Sequence, residues 1–307
     1  MLKIACLGIL VADIIANTIE KMPEKGKLEL ADNISLYTGG CATNTSIALS
    51  KLGYEPYVIG KVGNDYLGDF VLKNLKENGI VSTGIKRENH TSATMVFVDK
   101  SGERSFIHST GANSTIRNSE IDWEQLAKYD IVHIAGTFLM PGFDGLETAR
   151  FLKKAKSLGL ITTLDTAWDS KGEWLKILKE SLPYIDYFLP SYEEAVELSN
   201  FRKEEEIADF FLDKGVKNVG IKLGDRGCYL ANKNKKIREC SISVDVRDTT
   251  GAGDAWAAGF LAGLAEKWSL EETCRFANAV GASAVQEIGA STGIKSKKET
   301  LELIKEA

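Results

Sequence analysis

Short apolar runs alternate with stretches of helical pattern over most of the 307-residue chain, and this alternation restricts the fold more than any other feature. The runs lie at residues 4–7, 56–59, 131–135, 161–165, 187–189 and 218–223. Strands that are buried on both faces appear in a sequence as continuous apolar runs, and helices between them favour parallel pairing. We therefore predict an α/β fold with a mostly parallel sheet, whose ligands bind beyond the carboxyl ends of the strands.

Two segments interrupt this alternation. Residues 13–37 are too polar and irregular for a βαβ crossover. In residues 92–109, the side chains Met95, Phe97, Phe106 and His108 alternate with others around a turn at 99–102, which is typical of a hairpin. We predict that about 13–38 and 92–110 form a small antiparallel β lid on a single domain of residues 1–307. The sheet would serve as a lid, as a dimer surface or as both, and a surface hairpin without a role is the alternative.

The C-terminal third has a helical pattern. It predicts helix over residues 253–264, continuing through 271–285, and again over 296–305. Ser296 is followed three residues later by Glu299, the spacing of a capping box, so a helix is expected to begin there.

Composition excludes several classes of protein. A net charge of -5 gives no electrostatic reason to expect nucleic acid or a membrane surface as a partner. The five cysteines are widely spaced and form no C-x-x-C motif, which favours reduced thiols over a disulfide framework or a zinc site. The apolar N-terminus is short and is interpreted as a first strand, not as a signal peptide. A cytoplasmic location is therefore expected.

The motif most directly linked to chemistry is Asp248-Thr249-Thr250-Gly251-Ala252-Gly253-Asp254, followed by a run of small residues. We call residues 249–253 the glycine turn. The first N–H groups of a helix have no intrahelical partner and lie at the positive end of its dipole, so a glycine turn that opens a helix is suited to phosphate. Asp254 at the same turn is placed to accept the proton of an attacking hydroxyl. The alternative is that Asp254 only compensates the helix dipole.

A second glycine-containing motif lies far upstream, Gly39-Gly40-Cys41-Ala42-Thr43-Asn44. Gly39 and Gly40 allow close approach of the backbone before a helix, and Asn44 offers both a donor and an acceptor to a sugar hydroxyl. The alternative is a helix start with a packed asparagine.

These two motifs resemble the C-terminal and N-terminal signatures of the ribokinase-like, phosphofructokinase-B-type sugar kinases. The resemblance extends from Asp13 to about Gly293. It implies a three-layer α/β/α ribokinase-like fold with a small β lid, and transfer of the γ-phosphoryl group of ATP to a hydroxyl of a sugar or sugar-like molecule. It also implies Mg²⁺ and a homodimer formed through the lid.

The resemblance assigns roles to individual residues. Asp254 is the catalytic base, and the backbone amides of Gly251, Ala252 and Gly253 hold the charge of the phosphoryl group. The residues implied to orient the substrate are Asp13, Gly39, Gly40, Asn44 and Asn113.

On the nucleotide side, no P-loop motif is present, so ATP would be bound in another manner. The family pattern implies that the turn with Lys222, Gly224 and Gly227 approaches the nucleotide and that Asn278 lies beside adenine. Glu194 would help to organise Mg²⁺. Asp248 would contribute to a monovalent cation site, occupied by K⁺, with carbonyl oxygens of residues 289–293.

Three positions depart from the family pattern. Ser191 replaces the asparagine that precedes Glu194, and its oxygen is also suited to capping the next helix. Trp256 replaces a phenylalanine, and Trp168 lies where sugar kinases commonly have an Asp-x-Asn pattern. These departures leave the substrate open.

Three other functions compete with a sugar kinase. A nucleoside kinase of the adenosine type needs an aromatic slot for the base, which Phe97, Phe106, Phe138 and Trp168 could supply. A dinucleotide-binding oxidoreductase would need a G-x-G-x-x-G motif after the first strand, and residues 7–12 lack it. A non-catalytic sugar-binding regulator is disfavoured by the presence of both Asp254 and the glycine turn.

Overall fold

The computed structural model describes residues 1–100 and 104–306. The strands are β1 Ile4–Gly8, β2 Val11–Ile19, β3 Ala31–Gly39, β4 Tyr57–Val62, β5 Val81–Arg87, β6 Ser92–Asp99, β7 Arg104–Ser109, β8 Ile131–Thr137, β9 Ile161–Thr166, β10 Tyr187–Phe188, β11 Asn218–Lys222, β12 Cys228–Asn232 and β13 Lys236–Glu239. The α-helices are α1 Cys41–Lys51, α2 Tyr66–Glu77, α3 Trp123–Leu126, α4 Leu146–Ser157, α5 Trp174–Leu178, α6 Tyr192–Ser199, α7 Glu204–Asp213, α8 Ala252–Glu266, α9 Leu270–Ala284 and α10 Lys297–Glu306.

The larger sheet has the strand order β13-β12-β11-β10-β9-β8-β1-β4-β5 within the described residues. In this order, neighbouring strands from β11 across to β5 all pair in parallel. At the other edge, β12 pairs with β11 and with β13 in the antiparallel sense. All six predicted strands lie in this parallel part. The prediction of a mostly parallel sheet is confirmed.

Two helical layers cover the larger sheet. On β1, Ala5 and Leu7 belong to one buried cluster, together with residues of α4 and α7. Ile4 and Cys6 point the other way, into a cluster with residues of α1, α8 and α9. Because successive side chains of a strand alternate between its faces, this division gives the three-layer α/β/α arrangement that was predicted.

The second sheet, which we call the lid sheet, has the order β3-β2-β6-β7. Its outer pairs β2–β3 and β6–β7 are antiparallel, as predicted, but the central pair β2–β6 is parallel. The purely antiparallel prediction is wrong at this point. The reason is that β2 and β6 follow closely after β1 and β5, two strands that run the same way in the parallel sheet. Part of the predicted hairpin turn, Ser101 and Gly102, lies outside the described residues.

The C-terminal helices differ in one respect from the prediction. The predicted continuous helix is divided into α8 and α9, because Lys267 adopts a left-handed conformation with φ 60° and Ser269 begins a new helix in a capping box with Glu272. The capping box before α10 is confirmed, since the Glu299 amide donates to Ser296 Oγ over 3.3 Å and the Ser296 amide donates to the Glu299 carboxylate over 2.9 Å.

Among the described residues, no helix has the length and apolar character needed to span a bilayer.

Candidate active site

The glycine turn opens α8, as the sequence predicts. Gly251 has φ 72°, in the left-handed region, and a Cβ atom there would lie 2.5 Å from the Ala290 carbonyl oxygen. Only glycine fits both the conformation and the space. The Ala252 amide donates to the Thr249 carbonyl oxygen over 3.2 Å, so this one of the three predicted amides is used inside the turn. The amides at the start of α8 point toward a cleft of about 610 Å³ that Gly251, Gly253 and Asp254 line.

Asp254 lies in the first turn of α8 and is held from α1. Asn44 Nδ2 donates to Asp254 Oδ2 over 2.8 Å, and Thr45 Oγ1 donates to the Asp254 carbonyl oxygen over 3.4 Å. Burial raises the pKa of Asp254 to about 6, although the Asn44 hydrogen bond and the Lys222 ammonium lower it. The carboxylate is therefore ionised at neutral pH and can take up a proton easily.

Asp13, on β2 of the lid sheet, is close enough to Asp254 for the two charges to interact. A Cβ atom at Gly39 would lie 1.8 Å from Asp13 Oδ2, so the missing side chain of Gly39 makes room for this carboxylate. Burial raises the pKa of Asp13 to about 6, a hydrogen bond from Thr94 lowers it, and the charge of Asp254 raises it. The charges of Asp13 and Asp254 thus interact, but burial is the main cause of the raised pKa of Asp13.

Gly40 and Asn44 lie at the start of α1, and Asn44 contacts Asp254. Gly40 has φ 90°, and a Cβ atom there would lie 2.5 Å from the Ile9 carbonyl oxygen. Asn44 Oδ1 is buried and has no hydrogen-bond partner within residues 1–100 and 104–306. A buried acceptor of this kind usually has a partner, and a substrate hydroxyl would supply one.

Asn113 has a different environment from the one predicted. It is fully buried, its Nδ2 donates to the Leu10 carbonyl oxygen over 3.0 Å, and its Oδ1 accepts from the Leu10 amide over 3.2 Å. The structure therefore gives Asn113 a structural role, because it fixes the backbone between β1 and β2, just before Asp13. Both polar atoms of its side chain are thus bonded to the Leu10 backbone, and a direct contact with the substrate stays a prediction.

A carboxylate cluster forms the floor of the cleft, where β9 and β11 end. Lys222 Nζ lies 2.7 Å and 2.6 Å from the two oxygens of Asp165. Burial raises the pKa of Asp165. Burial alone would lower the pKa of Lys222, but the carboxylates of Asp165 and Glu194 outweigh this effect and raise it. The ammonium of Lys222 thus pairs directly with Asp165, and its charge also interacts with those of Glu194 and Asp254.

Glu194 and Ser191 form the capping box of α6. Ser191 Oγ accepts from the Glu194 amide over 3.3 Å, and Glu194 Oε2 accepts from the Ser191 amide over 2.9 Å and from Thr166 Oγ1 over 2.8 Å. Ser191 therefore caps α6, the alternative role that its oxygen suggested. No group of three or more His, Cys, Asp or Glu side chains is arranged to hold a metal ion in the part of the chain that the structure describes. Glu194 and Asp165 both line the cleft, and carboxylate oxygens of this kind are ligands that magnesium accepts.

A second cleft of about 560 Å³ continues from the first and shares Lys222, Gly224 and Gly253 with it. Its walls include apolar side chains of Val244, Val246, Trp256, Ala282 and Val285. An apolar slot joined to a phosphate site has the shape and polarity that a nucleotide base requires.

The predicted nucleotide residues have different positions around this second cleft. Gly224 has φ 61° and no atom within 4 Å of where a Cβ atom would lie, so its backbone is open to a ligand. At Gly227 a Cβ atom would lie 2.0 Å from the Glu239 carbonyl oxygen, which makes this glycine necessary for the fold. Asn278 accepts from Trp256 Nε1 over 2.8 Å and donates to the carbonyl oxygens of Glu239 and Cys240. Its amide therefore orders the wall of the slot.

Asp248 does not have the environment of a monovalent cation ligand. Arg104 Nη2 on the lid sheet donates to Asp248 Oδ1 over 2.6 Å, and the amides of Thr250 and Gly289 donate to its two oxygens over 2.7 Å and 2.8 Å. Because these donors already surround the carboxylate, the arrangement does not fit the predicted K⁺ ligand.

Sequence reasoning missed several residues of the site. Arg104, Asp165 and Thr166 were not singled out, and neither was Cys41, the first residue of α1, which lines the cleft beside Asp254. Burial and the charges of Asp254 and Asp165 raise the pKa of the Cys41 thiol above its ordinary value. The position of Cys41 directly after Gly39-Gly40 was the one available signal.

A first prediction concerns the cost of the crowded carboxylates. The pKa of Asp13 is raised to about 6 in the folded protein, so the folded state holds the proton of this carboxyl more tightly than the unfolded state does. The free energy of unfolding therefore falls as the pH rises from the ordinary pKa of aspartate to about 6. The substitution Asp13→Asn should raise the free energy of unfolding at pH 7.5 by roughly 1–3 kcal/mol, as measured by chemical denaturation. The gain should shrink as the pH falls toward 4.

The matched control is Asp32→Asn, which removes an exposed carboxylate from β3 of the same lid sheet. It should leave stability unchanged. If Asp13→Asn were destabilising at pH 7.5, the account of an energetically costly carboxylate would be wrong.

Comparison with known proteins agrees with the site. The profile of the pfkB family of carbohydrate kinases matches residues 1–297. An uncharacterized sugar kinase of Archaeoglobus fulgidus is 34% identical over 251 residues, which cover 81% of this chain and 98% of that protein. The crystal structure of ribokinase from Thermotoga maritima has a TM-score of 0.86 and 30% identity, covering 99% of this chain and 100% of that one.

A further solved structure, that of Arabidopsis thaliana ribokinase complexed with ribose and ATP, has a TM-score of 0.87 and 27% identity and covers 99% of both chains. These likenesses confirm the predicted ribokinase-like fold and the class of enzyme, a phosphotransferase with an alcohol group as acceptor. The chain belongs to the pfkB family of carbohydrate kinases.

Proposed function

We propose that this protein transfers the γ-phosphoryl group of ATP to a hydroxyl of a sugar or sugar-like molecule. The observation that carries the proposal is the position of Asp254, in the first turn of α8 beside the glycine turn and hydrogen-bonded to Asn44 over 2.8 Å. A base for a hydroxyl and amides for a phosphoryl group thus meet at one helix start. The ribose and ATP bound to Arabidopsis thaliana ribokinase support the choice of both substrates.

The acceptor would lie between the lid sheet and α1. Asp13 and Asn44 Oδ1 would hold its hydroxyls, and Asp254 would take the proton of the hydroxyl that attacks. As the new O–P bond forms, the bond from the γ-phosphorus to the bridging oxygen breaks, and ADP leaves with the electron pair. The amides of Gly251 and Gly253 would stabilise the negative charge on the phosphoryl oxygens.

The nucleotide would occupy the second cleft, with its base in the apolar slot and its phosphates near Lys222 and Gly224. Magnesium held by the phosphates would neutralise part of their charge, with Asp165 and Glu194 as its nearest protein carboxylates. The unpaired cysteines and the need for ATP are both consistent with a cytoplasmic enzyme.

A nucleoside is the second candidate acceptor, because the structure leaves aromatic surface near the cleft. Phe106 is 62% exposed and lies on the same face of the lid sheet as Asp13, and Trp168 after β9 is 56% exposed. The other two aromatic candidates are less suitable, since Phe138 is buried against Trp174 and Phe97 lies on the opposite face of the lid sheet.

The test is a coupled assay for ADP release over ribose, fructose, 2-keto-3-deoxygluconate, inositol and adenosine, with Asp254→Asn alongside the wild type. At least one acceptor should stimulate ADP release, and Asp254→Asn should lower kcat by roughly 10²–10⁴-fold while ATP binding persists, because only the base is lost.

The control for this variant is Asp69→Asn, which removes another acid from the first turn of a helix, α2. If Asp254 only compensated a helix dipole, the two variants would behave alike. Near-normal turnover in Asp254→Asn would reject the assignment of the base, and no ADP release with any acceptor would favour a sugar-binding protein.

The pH dependence of the reaction follows from the protonation state of Asp254. Because this pKa is raised to about 6 and the base must be ionised, kcat/KM for the acceptor should rise with pH and level off above about 6. The measurement is an initial-rate profile at saturating ATP. A rate that is already constant below pH 5 would contradict the assignment.

We also propose that the outer face of the lid sheet binds the same face of a second copy. On the face opposite Asp13, a row of apolar side chains crosses the four strands in register, namely Ile107, Met95, Ile14 and Leu36. Met95, Ile107 and Leu36 are 45%, 57% and 40% exposed. An identical sheet is suited to cover such a face, because a twofold contact is self-complementary.

Light scattering should therefore give twice the mass of one chain. Met95→Lys should shift the protein toward the monomer, because it places a charge within the apolar row. Leu146→Lys, which changes a side chain that is 60% exposed on α4, should not have this effect. A monomeric wild type at micromolar concentration would contradict the proposal.

A further inference from the structure

We infer that two cations of the protein itself, Arg104 and Lys51, pair with the carboxylate and carbonyl groups that the sequence predicted as ligands of a monovalent cation. The phosphoryl-transfer reaction then proceeds without K⁺, and Arg104 positions the glycine turn. The inference rests on the proposed kinase function and departs from the cation requirement that the family pattern implies. Two independent sets of contacts carry it.

The first set involves the carboxylate of the predicted site. Arg104 Nη2 lies 2.6 Å from Asp248 Oδ1, and Arg104 Nη1 donates to Thr250 Oγ1. The side chain of Asp248 is only 3% exposed, and that of Arg104 is 22% exposed. A guanidinium ion with two neighbouring hydrogen bonds is fixed in direction as well as in charge.

The second set involves the carbonyl oxygens of the predicted site. Lys51 Nζ, at the end of α1, donates to the carbonyl oxygens of Ser291 and Thr292 over 2.7 Å and 3.3 Å. These carbonyl groups belong to the segment 289–293, which the sequence analysis expected to coordinate the cation. An ammonium group therefore binds two of the carbonyl oxygens in this segment.

Together these contacts provide the charge and the bonds of a bound cation. Asp248 also accepts hydrogen bonds from the Gly289 and Thr250 amides, so one carboxylate joins the lid sheet, the glycine turn and the loop after α9. Burial alone would raise the pKa of Asp248, but these hydrogen bonds hold it below its ordinary value. A further monovalent cation at this carboxylate would meet the positive charge of Arg104.

The link to the reaction runs through the glycine turn. Thr250, which Arg104 contacts, precedes Gly251, whose amide would face the phosphoryl group. Since β7 carries Arg104, the position of the lid sheet and the geometry of the turn are coupled by one side chain. Arg104 is in this sense a positioning residue, because it reaches the reacting groups only through Thr250 and Asp248.

The experiment compares the wild type in KCl and in tetramethylammonium chloride at equal ionic strength, with ADP release and thermal unfolding as separate readouts. The expected result is a kcat that differs by less than about twofold between the salts, and an unchanged midpoint of unfolding. Activation of the wild type by K⁺ severalfold, or a clear stabilisation by K⁺, would overturn the inference.

Variants separate the roles of charge and geometry. Arg104→Gln in tetramethylammonium chloride should lower kcat by about 10–100-fold with a smaller change in the acceptor KM, because the turn loses its alignment. Added guanidinium chloride at millimolar concentration should restore part of kcat, and Arg104→Lys should retain more activity than Arg104→Gln. An Arg104→Gln variant with the kcat of the wild type, or one that guanidinium does not rescue at all, would contradict the positioning role.

The matched control is Lys100→Gln, which removes a cation from the same lid sheet. Lys100 forms an exposed pair with Glu20, 3.6 Å away, and its loss should change neither kcat nor the salt response. If Arg104→Gln does not fold, Arg104→Lys and the wild-type salt comparison still decide the question. If the wild type releases no ADP with any acceptor, the kinase proposal fails, whereas the unfolding data still show whether K⁺ binds.

Discussion

The ion pair between Lys222 and Asp165 is the interaction on which the rest of the site depends. It joins the ends of β9 and β11 at the carboxyl edge of the sheet, with Nζ–O distances of 2.6 Å and 2.7 Å. The ammonium of Lys222 bonds to Asp165 and interacts with the charges of Glu194 and Asp254. In this buried cluster, three carboxyl groups therefore face one ammonium group. Removing such a pair from water is costly unless further groups compensate. The excess of carboxylates is consistent with a site completed by a magnesium–nucleotide complex.

Burial sets the chemical character of Asp254. Burial holds its pKa near 6, between that of a free aspartate and neutrality. Asn44 fixes the direction of the carboxylate, and the start of α8 provides amides beside it. One helix start therefore carries both the base and the phosphoryl donors that we propose, whereas α1 and the lid sheet carry the groups that we propose to select the acceptor.

The sequence was sufficient for the parts of the fold that depend on local pattern. The six buried parallel strands were predicted because each is a short run with apolar residues between stretches of helical pattern. Strand β5 was missed because it is a polar strand at the edge, and β12 and β13 because they form a short antiparallel extension. The motif residues Asp13, Asn44 and Asp254 were identified from the sequence, and in the structure Asn44 bonds to Asp254 and the charge of Asp254 acts on Asp13. Contacts between distant residues could not be foreseen. Arg104 and Asp248 are 144 positions apart, and nothing in either segment indicates that they meet.

We propose that Asp254, whose pKa burial raises to about 6 and the Lys222 ammonium lowers, is the base of the reaction. The most direct measurement is a titration of the side-chain carboxyl carbons by NMR in protein labelled with ¹³C-aspartate, with Asp254→Asn used to assign the resonance. The account predicts that Asp254 titrates near pH 6 without ligand and at a higher pH in Lys222→Met, because the ammonium is then absent. An Asp254 resonance that titrates near the ordinary value of about 4, and that Lys222→Met leaves unmoved, would contradict it.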